Sequence, residues 1–406
     1  MGLDVRTIQK DELPAWTEAL RVGFLGHAAE GEADLIGEFA DLDRTIASFD
    51  GDRVVGTLRS FTTDLTVPGG QVTCAALTNV TVTGTHRRRG LLTRMLTRDL
   101  ADSVDRGEAV GSLVAAEYPI YGRFGYGPAV EAVDVTIEPG AQFIAPPRPG
   151  SVELIDREAL RTLAPALYDS FRTGVPGAIA RRDWTWDFDL GLRAWPGRPE
   201  KSPRFFVLGR DEHGEPDGYL TYWVKDRWEN ERPRGTLHVE ELIARDAAAE
   251  ERLWRYALEV DWITTVEAEN RTVVDLLPWL LVDARLIVQS NRTDIEWIRI
   301  LDAVTALEAR RYPTTGRVVL DIDDPLGHAH GRFALDGGPD GAECRPTTAS
   351  ADLALSVSAL GAAYLGGHPL GVLARAGRVD ELRPGALEVA DAMFRSPVAP
   401  WCVTHF

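Results

Sequence analysis

Arg87, Arg88, Arg89 and Gly90 stand between the β-branched run Leu77–Val82 and a run of leucines, and a tyrosine, Tyr121, follows the next apolar stretch, Gly111–Ala116. Leu77–Val82 alternates as a strand should, whereas Leu91, Leu92, Met95, Leu96 and Leu100 recur at helical spacing. A glycine-containing turn between strand and helix leaves several backbone N–H groups unpaired where the helix dipole favours negative charge, so it is a ready seat for phosphate. The plain alternatives are an ordinary basic helix start and a tyrosine that merely packs. A lone Arg-x-x-Gly is a weak motif. Strand, basic turn, helix, strand and tyrosine in that order form a series of parts that point to one site.

Val80-x-Val82, Arg87-x-x-Gly90 and Ile120-Tyr121-Gly122-Arg123-Phe124-Gly125-Tyr126 resemble the acetyl-CoA site of the GCN5-related N-acetyltransferases (GNAT). His86-Arg-Arg-Arg-Gly-Leu-Leu, the Tyr-Gly-Arg-Phe-Gly-Tyr-Gly-Pro run and a final phenylalanine are similar to the Eis (enhanced intracellular survival) acetyltransferases. The likeness is strong through residue 130 and continues in outline over the rest of the chain. Leu92 occupies a place where the common GNAT pattern has Gly or Ala, a departure that Eis-like proteins share.

The resemblance implies an α+β protein of tandem GNAT folds followed by a sterol carrier protein-like domain, with boundaries near 1–146, 147–297 and 298–406. It implies transfer of acetyl from acetyl-CoA to a primary amine by direct attack in a ternary complex, without metal. Val80, Thr81 and Val82 would pair with the pantetheine arm, Arg87, Arg88, Arg89, Gly90, Leu91, Leu92 and Thr93 would hold the pyrophosphate, and Ala116 and Glu117 would sit beside the thioester. Tyr121 would protonate the departing thiolate, with Tyr126 a second candidate, and the α-carboxylate of Phe406 would take the amine proton. An α-carboxyl titrates near about 3.5 in water, so that role needs burial or a relaying water. Phe24, Gly26, Asn79 and His405 fall at the acceptor pocket, and the places of Gly26 and His405 hold acids in aminoglycoside-modifying relatives. Relatives also suggest a homo-oligomer, in some cases a hexamer. A non-catalytic acyl-CoA or lipid binder and a protein lysine or N-terminal acetyltransferase are the competing readings; a binder has no chemical need for Tyr121.

A net charge of −18 opposes nucleic acid and anionic membrane as partners and favours a cationic acceptor such as an amine, for which the resemblance implies a polyamine or an aminoglycoside-like molecule. Only three of the 44 basic residues are lysine, so arginine is the chain's general cation and its abundance alone signals no recognition. No long apolar run or basic-then-apolar N-terminus occurs, which predicts a cytoplasmic protein. Cys74, Cys344 and Cys402 have no paired spacing, and His328-Ala-His330 lacks a third ligand nearby, so neither disulfides nor a zinc site is expected.

Around the site, the spacing predicts a strand Val5–Ile8, a helix Leu13–Phe24, and antiparallel strands Thr45–Phe49, Arg53–Thr62 and Gln71–Val82. Gly26–Asp43, with six acids among Leu35, Ile36 and Phe39, reads as an amphipathic helix with a solvated acidic face, or else as a pocket wall for polyamines. The stretch 145–150 reads as a linker. Residues 151–297 then repeat the opening order weakly, but Arg245–Arg252, the counterpart of the phosphate turn, has no glycine and three acids, and should repel pyrophosphate. Trp184, Trp186 and Trp195 belong to a core or line a cleft. Beyond residue 297, Leu353–Leu360 has helical apolar spacing.

Overall fold

The computed structural model describes residues 2–198 and 203–406. The first unit runs β1 (Leu3–Thr7), α1 (Leu13–Gly23), α2 (Glu32–Phe39), β2 (Thr45–Asp50), β3 (Arg53–Val67), β4 (Gly70–Val82), α3 (Leu91–Asp105), β5 (Val110–Leu113), α4 (Tyr118–Tyr121) and β6 (Gly127–Ile137). Pro14 sits in the first turn of α1, where its missing N–H costs nothing. α3 buries Leu91, Met95, Leu96 and Leu100. Met95, Leu96 and Leu100 lie in one core with Ile46, Leu58 and Leu77 of the strands.

The second unit runs β7 (Ser151–Ile155), α5 (Arg157–Arg172), α6 (Asp183–Asp189), β8 (Arg204–Arg210), β9 (Pro216–Lys225), a small ribbon of β10 (Trp228–Glu229) and β11 (Arg232–Pro233), β12 (Gly235–Ala244), α7 (Ala247–Glu259), β13 (Ile263–Thr272) and β14 (Ile287–Ile300). The third has α8 (Ala303–Glu308), β15 (Gly316–Asp323), β16 (Gly331–Gly338), β17 (Gly341–Pro346), β18 (Leu353–Ser356), α9 (Val357–Tyr364), α10 (Leu370–Arg375), β19 (Val379–Glu381) and α11 (Ala386–Phe394). The stretch Leu353–Leu360 is therefore not one helix. Leu353 and Leu355 are buried in β18, and the Ser356 side chain accepts from the Ala359 N–H to start α9 afresh.

The two leading units share one sheet of twelve strands, in the order β1-β2-β3-β4-β5-β14-β6-β13-β12-β9-β8-β7. β14 comes last in the chain of these twelve yet lies between β5 and β6, pairing Trp297 with Leu113 and Ile300 with Val110 on one side. Its other edge follows β6 from Ile287↔Ile137 to Ile298↔Gly127, with bulges. The first unit is thus closed by a strand that arrives only after the whole second unit. The third unit then locks β14. Arg299 donates to both carboxylate oxygens of Asp324 at 2.8 and 2.7 Å, and both side chains are fully buried. α9 lies backbone against backbone on β6: a Cβ at Gly127 would stand 2.0 Å from the Ser358 carbonyl oxygen, and the Ser358 hydroxyl donates to the Tyr126 carbonyl at 2.8 Å. Only glycine permits that approach.

Glu296, fully buried on β14, accepts from the Ser112 hydroxyl at 2.6 Å, while its other oxygen has no partner among the described residues. Burial pushes its carboxyl up to about 8, so it is protonated at neutral pH. The folded chain holds a proton there that the unfolded chain releases above its ordinary 4.5. The site's contribution is therefore complete below that value and declines as pH rises through about 8. E296Q is expected to flatten this decline. The urea stability of the parent should fall relative to the variant between acid and mildly alkaline pH, by no more than about 1.4 kcal/mol per pH unit. Equal pH slopes would refute the assignment. A fragment ending at residue 146 lacks β14 and is expected to show no cooperative unfolding transition. A sharp urea transition for it would mean that the unit closes unaided.

Candidate functional site

β4 and β5 run parallel only from Cys74↔Val110 to Leu77↔Leu113, after which β5 ends while β4 continues to Val82. The strand expected over Gly111–Ala116 stops early for this reason: the chain turns away into α4, and Ala116 and Glu117 are left exposed in the connecting loop. Where the two part, β4 carries an extra residue relative to β3. Thr57 pairs with Thr81 but Arg59 pairs with Thr78, and Asn79 has a left-handed backbone at φ 57°. The bulge is held from both sides, since Thr57 Oγ1 donates to the Asn79 carbonyl at 2.8 Å and Arg59 Nε donates to Asn79 Oδ1 at 3.0 Å. A parting pair of strands with one bulged edge offers unpaired backbone groups to an extended ligand.

The turn beyond β4 is pinned at its buried end and open at the other. His86 is buried, with one ring nitrogen 3.2 Å from Asp50 Oδ2 and the other 2.9 Å from Thr85 Oγ1. Arg87, Arg88, Arg89 and Gly90 are exposed, and both Arg88 (φ 63°) and Gly90 (φ 75°) are left-handed. Gly90 is the N-cap of α3 with no side chain capping it, and a Cβ there would meet open space. The first intrahelical bond is Arg94 N–H to the Gly90 carbonyl at 3.0 Å, which leaves the N–H groups of Leu91, Leu92 and Thr93 without an acceptor in the helix. An uncapped, unobstructed helix start flanked by exposed arginines fits a diphosphate.

The corresponding start of α7 differs chemically. The Asp246 carboxylate accepts from the Ala248 and Ala249 N–H groups at 2.9 and 3.0 Å, so its own side chain fills the place where a phosphate would bind.

Tyr121 ends α4 and is 7% exposed, within the core that also takes Leu77, Phe124 and Tyr126, with Val80 at its margin. Its hydroxyl has no hydrogen-bond partner among the described residues. Burial first, and then the Glu117 charge, push the phenol up to about 12. Tyr126 is 1% exposed, and a Cβ on Gly111 would lie 2.9 Å from its hydroxyl, so it is walled in by β5. Tyr121 is the better placed of the two phenols to meet a ligand.

The C-terminus is held by the second unit. Trp401 N–H donates to the Pro176 carbonyl at 2.8 Å and its indole to Asn270 at 2.7 Å; Asn270 Nδ2 donates to the Cys402 carbonyl at 3.0 Å. Thr404 Oγ1 lies 2.8 Å from Tyr168 Oη and accepts from Arg181 Nε at 2.9 Å. His405 and Phe406 then line a cavity of about 70 Å³ with Arg59, Phe61, Arg182 and Trp184. Phe61 meets Phe406 edge-on at 5.8 Å, and the Arg182 guanidinium lies 4.2 Å from its ring centre. The bulge lies between the two, because Arg59 of the cavity lining donates to Asn79 while the next residue, Val80, packs at the margin of the core that holds Tyr121. Larger cavities, about 570 Å³ beside β15 and β18 and about 360 Å³ near Pro68 and Ser396, include no residue of the turn, Tyr121 or Phe406.

Of the expected acceptor residues, His405 lines this cavity together with Phe406, and Asn79 adjoins it through its bond to Arg59. Phe24 and Gly26 are exposed in the loop after α1, which reaches β4 through Gly23, where a Cβ would clash with Thr81. The acidic segment folds as α2, burying Leu35 and Ile36. Its Glu32 accepts from Arg21 and from the Trp195 indole, and Glu38 from Arg193. Trp184 stacks on Phe39 at 4.0 Å at the cavity, while Trp186 is core. Arg59, Phe61 and Arg182 were not anticipated. Arg59 and Phe61 are two apart on β3 and share a face, a signal visible in sequence, but nothing local marks Arg182.

These features define a GNAT-type acetyltransferase fold. The description "Acetyltransferase (GNAT) domain" matches residues 4–129, a second of the same description matches 177–300, and "Sterol carrier protein domain" matches 303–403. An uncharacterised N-acetyltransferase of Streptomyces avermitilis is 42% identical over all of this chain and 99% of its own. The N-acetyltransferase Eis of Mycobacterium tuberculosis is 37% identical over 91% of this chain and 93% of its own. The crystal structure of Eis1 from Mycobacterium abscessus is 33% identical with TM-score 0.88, covering 99% and 100% of the two chains. The chain belongs to the Eis-like N-acetyltransferases. Among the described residues no helix is long and apolar enough to cross a membrane, and no group of His, Cys, Asp and Glu is arranged to hold a metal ion.

Replacing Gly90 by Val puts a β-branched side chain at φ 75° and crowds the uncapped N–H groups. G90V is expected to weaken CoA binding by about tenfold or more, the worth of one charge-assisted hydrogen bond. Calorimetry with CoA measures it; unchanged affinity would place the phosphates elsewhere.

Proposed function

We propose that the protein transfers acetyl from acetyl-CoA to a primary amine of a small molecule by direct attack within a ternary complex. Bound acetyl-CoA supplies an acetyl thioester. The observation that carries the reading is the uncapped start of α3 following the bulged edge of β4, with Tyr121 in the core against which Val80 packs. Val80, Thr81 and Val82 are suited to pair with the pantetheine arm, and Arg87 to Thr93 to hold the diphosphate. The α7 start, capped by Asp246, is suited to no second cofactor.

Tyr121 acts on the departing sulfur. A phenol at about 12 stands above an ordinary thiol near 8.5, so complete proton transfer from it is uphill by roughly 5 kcal/mol. Its hydroxyl therefore works by hydrogen-bonding the charge that develops on sulfur, and its proton passes fully only as the amine gives up its own. The carboxylate of Phe406 is the acceptor for the amine proton, supported by the anchoring of Trp401 and Thr404. The overall charge of −18 attracts amines generally, and polyamines and aminoglycosides are the first acceptors to assay.

Y121F is expected to lower kcat by about a hundredfold with little change in the CoA KM, the usual worth of a positioned proton donor. Because the phenol stays protonated to about 12, the parent's pH–rate profile is expected to show no alkaline loss from Tyr121 up to about pH 10. An unaltered kcat in Y121F would remove the residue from the mechanism. Extending the chain past Phe406 should abolish turnover while leaving CoA binding intact, and full activity of the extended chain would exclude its carboxylate.

A further inference from the structure

The hydrogen bonds at Thr404 run in one direction. Tyr168 Oη donates to the Ile179 carbonyl at 2.8 Å, so its single proton is committed and it accepts from Thr404 Oγ1, 2.8 Å away. Thr404 Oγ1 in turn accepts from Arg181 Nε at 2.9 Å. Both other nitrogens of Arg181 engage Glu241, which also accepts from the Tyr219 hydroxyl at 2.6 Å. The guanidinium lies over the rings of Tyr168 and Trp186 at 4.2 and 4.8 Å, and the side chain is 4% exposed. Arg181 therefore holds Thr404 as a fixed donor whose charge Glu241 already matches. At the other end of the series, Ile179 bridges to Leu65, the Ala180 N–H donates to the Asp64 carbonyl at 2.9 Å, and the Thr63 hydroxyl donates to the Ala180 carbonyl at 3.0 Å. These partners lie on β3, which also carries the Thr57 and Arg59 that hold the bulge of β4. One strand thus sets the place of both the tail and the bulged edge.

We propose that Arg181 is a positioning residue for the transfer: through Thr404 it sets where the carboxylate of Phe406 stands against the amine. This rests on the transferase reading above, with that carboxylate as proton acceptor, and it gives the second unit a part in the reaction. Beyond Thr404, His405 meets Asn270 at 3.3 Å and Phe406 meets Phe61 and Arg182 through its ring. The two residues past Thr404 reach at most about 7 Å. Without that anchor the next bond from the second unit is at the Cys402 carbonyl, and the reach doubles to about 14 Å. A displacement of about 1 Å at a reacting group can cost on the order of a hundredfold in rate. Valine has the shape of threonine but neither donates nor accepts, whereas serine does both.

Thiol release from acetyl-CoA, with the best acceptor among diamines, polyamines and aminoglycosides, gives kcat, while calorimetry with CoA and thermal melting report on the rest of the molecule. T404V is expected to lower kcat by about tenfold or more with CoA affinity and melting unchanged, and T404S to restore most of the loss. R181K leaves Glu241 a cation but loses the fork, so it should lower kcat in the same way, and R181K with T404V should fall no further than the lower of the two, because both act through one bond. Equal kcat in T404V and T404S, single losses that multiply in the double variant, or a kcat loss matched by a loss of CoA affinity would overturn the positioning role while leaving the transferase reading standing. Full activity of a chain lengthened past Phe406 would remove its carboxylate from the reaction and this inference with it, with acetyl transfer itself intact. No thiol release with any of these amines would overturn both.

Discussion

The site exists because two parallel strands stop being neighbours. Leu77 and Leu113 are the last paired residues of β4 and β5, and beyond them the sheet has an opening whose lip is the left-handed Asn79. A parallel pair normally stays buried and continuous, so the parting must be maintained by its surroundings. β14 holds β5 from the other side through Leu113, so β5 cannot swing back toward β4. Arg59 and Thr57 hold the bulge of β4. α9 of the third unit then sits on Gly127 and Ser358 bonds Tyr126, fixing the far end of the loop on which Tyr121 stands.

That arrangement gives the later units a physical reason to be present. The second unit supplies the strand that closes the first sheet, and Pro176, Asn270, Tyr168 and Arg181 as anchors for the last six residues. The third supplies Asp324, whose carboxylate neutralises Arg299 inside the junction. A buried pair of this kind is weak support for stability by itself, because both charges lose their water; its value lies in fixing one arrangement of strand and neighbour.

Electrostatics divides in the same way between the whole and the local. The overall charge acts at long range and is screened within about 8 Å at physiological salt. The walls of the cavity act at contact distance, and there Arg59, Arg181 and Arg182 stand beside the terminal residue Phe406.

Much of the first unit was legible in the residues themselves. The arginine-rich turn, α3, β4 and the place of Tyr121 depend on local rules: periodicity, a glycine that tolerates positive φ, and a tyrosine just past a strand. The contrast between the glycine at the start of α3 and the aspartate at the start of α7 was equally local. The joining of two units into one sheet was not, because β14 has no feature in sequence that names β5 as its partner across so long a separation. The division of Leu353–Leu360 was missed since short apolar runs have both periods, and packing decided between them. Acid residues of Gly26–Asp43 that looked free in sequence are partly consumed by Arg21, Trp195 and Arg193, while Arg59 and Arg182, ordinary among 41 arginines, meet Asn79 and the rings of Phe39 and Phe61 instead of a carboxylate among the described residues. Residue types and spacing thus determined which chemistry the chain carries. Which charges meet and which stay uncompensated was decided only when distant strands were brought together, since Coulomb energy depends on separation in space and not along the chain.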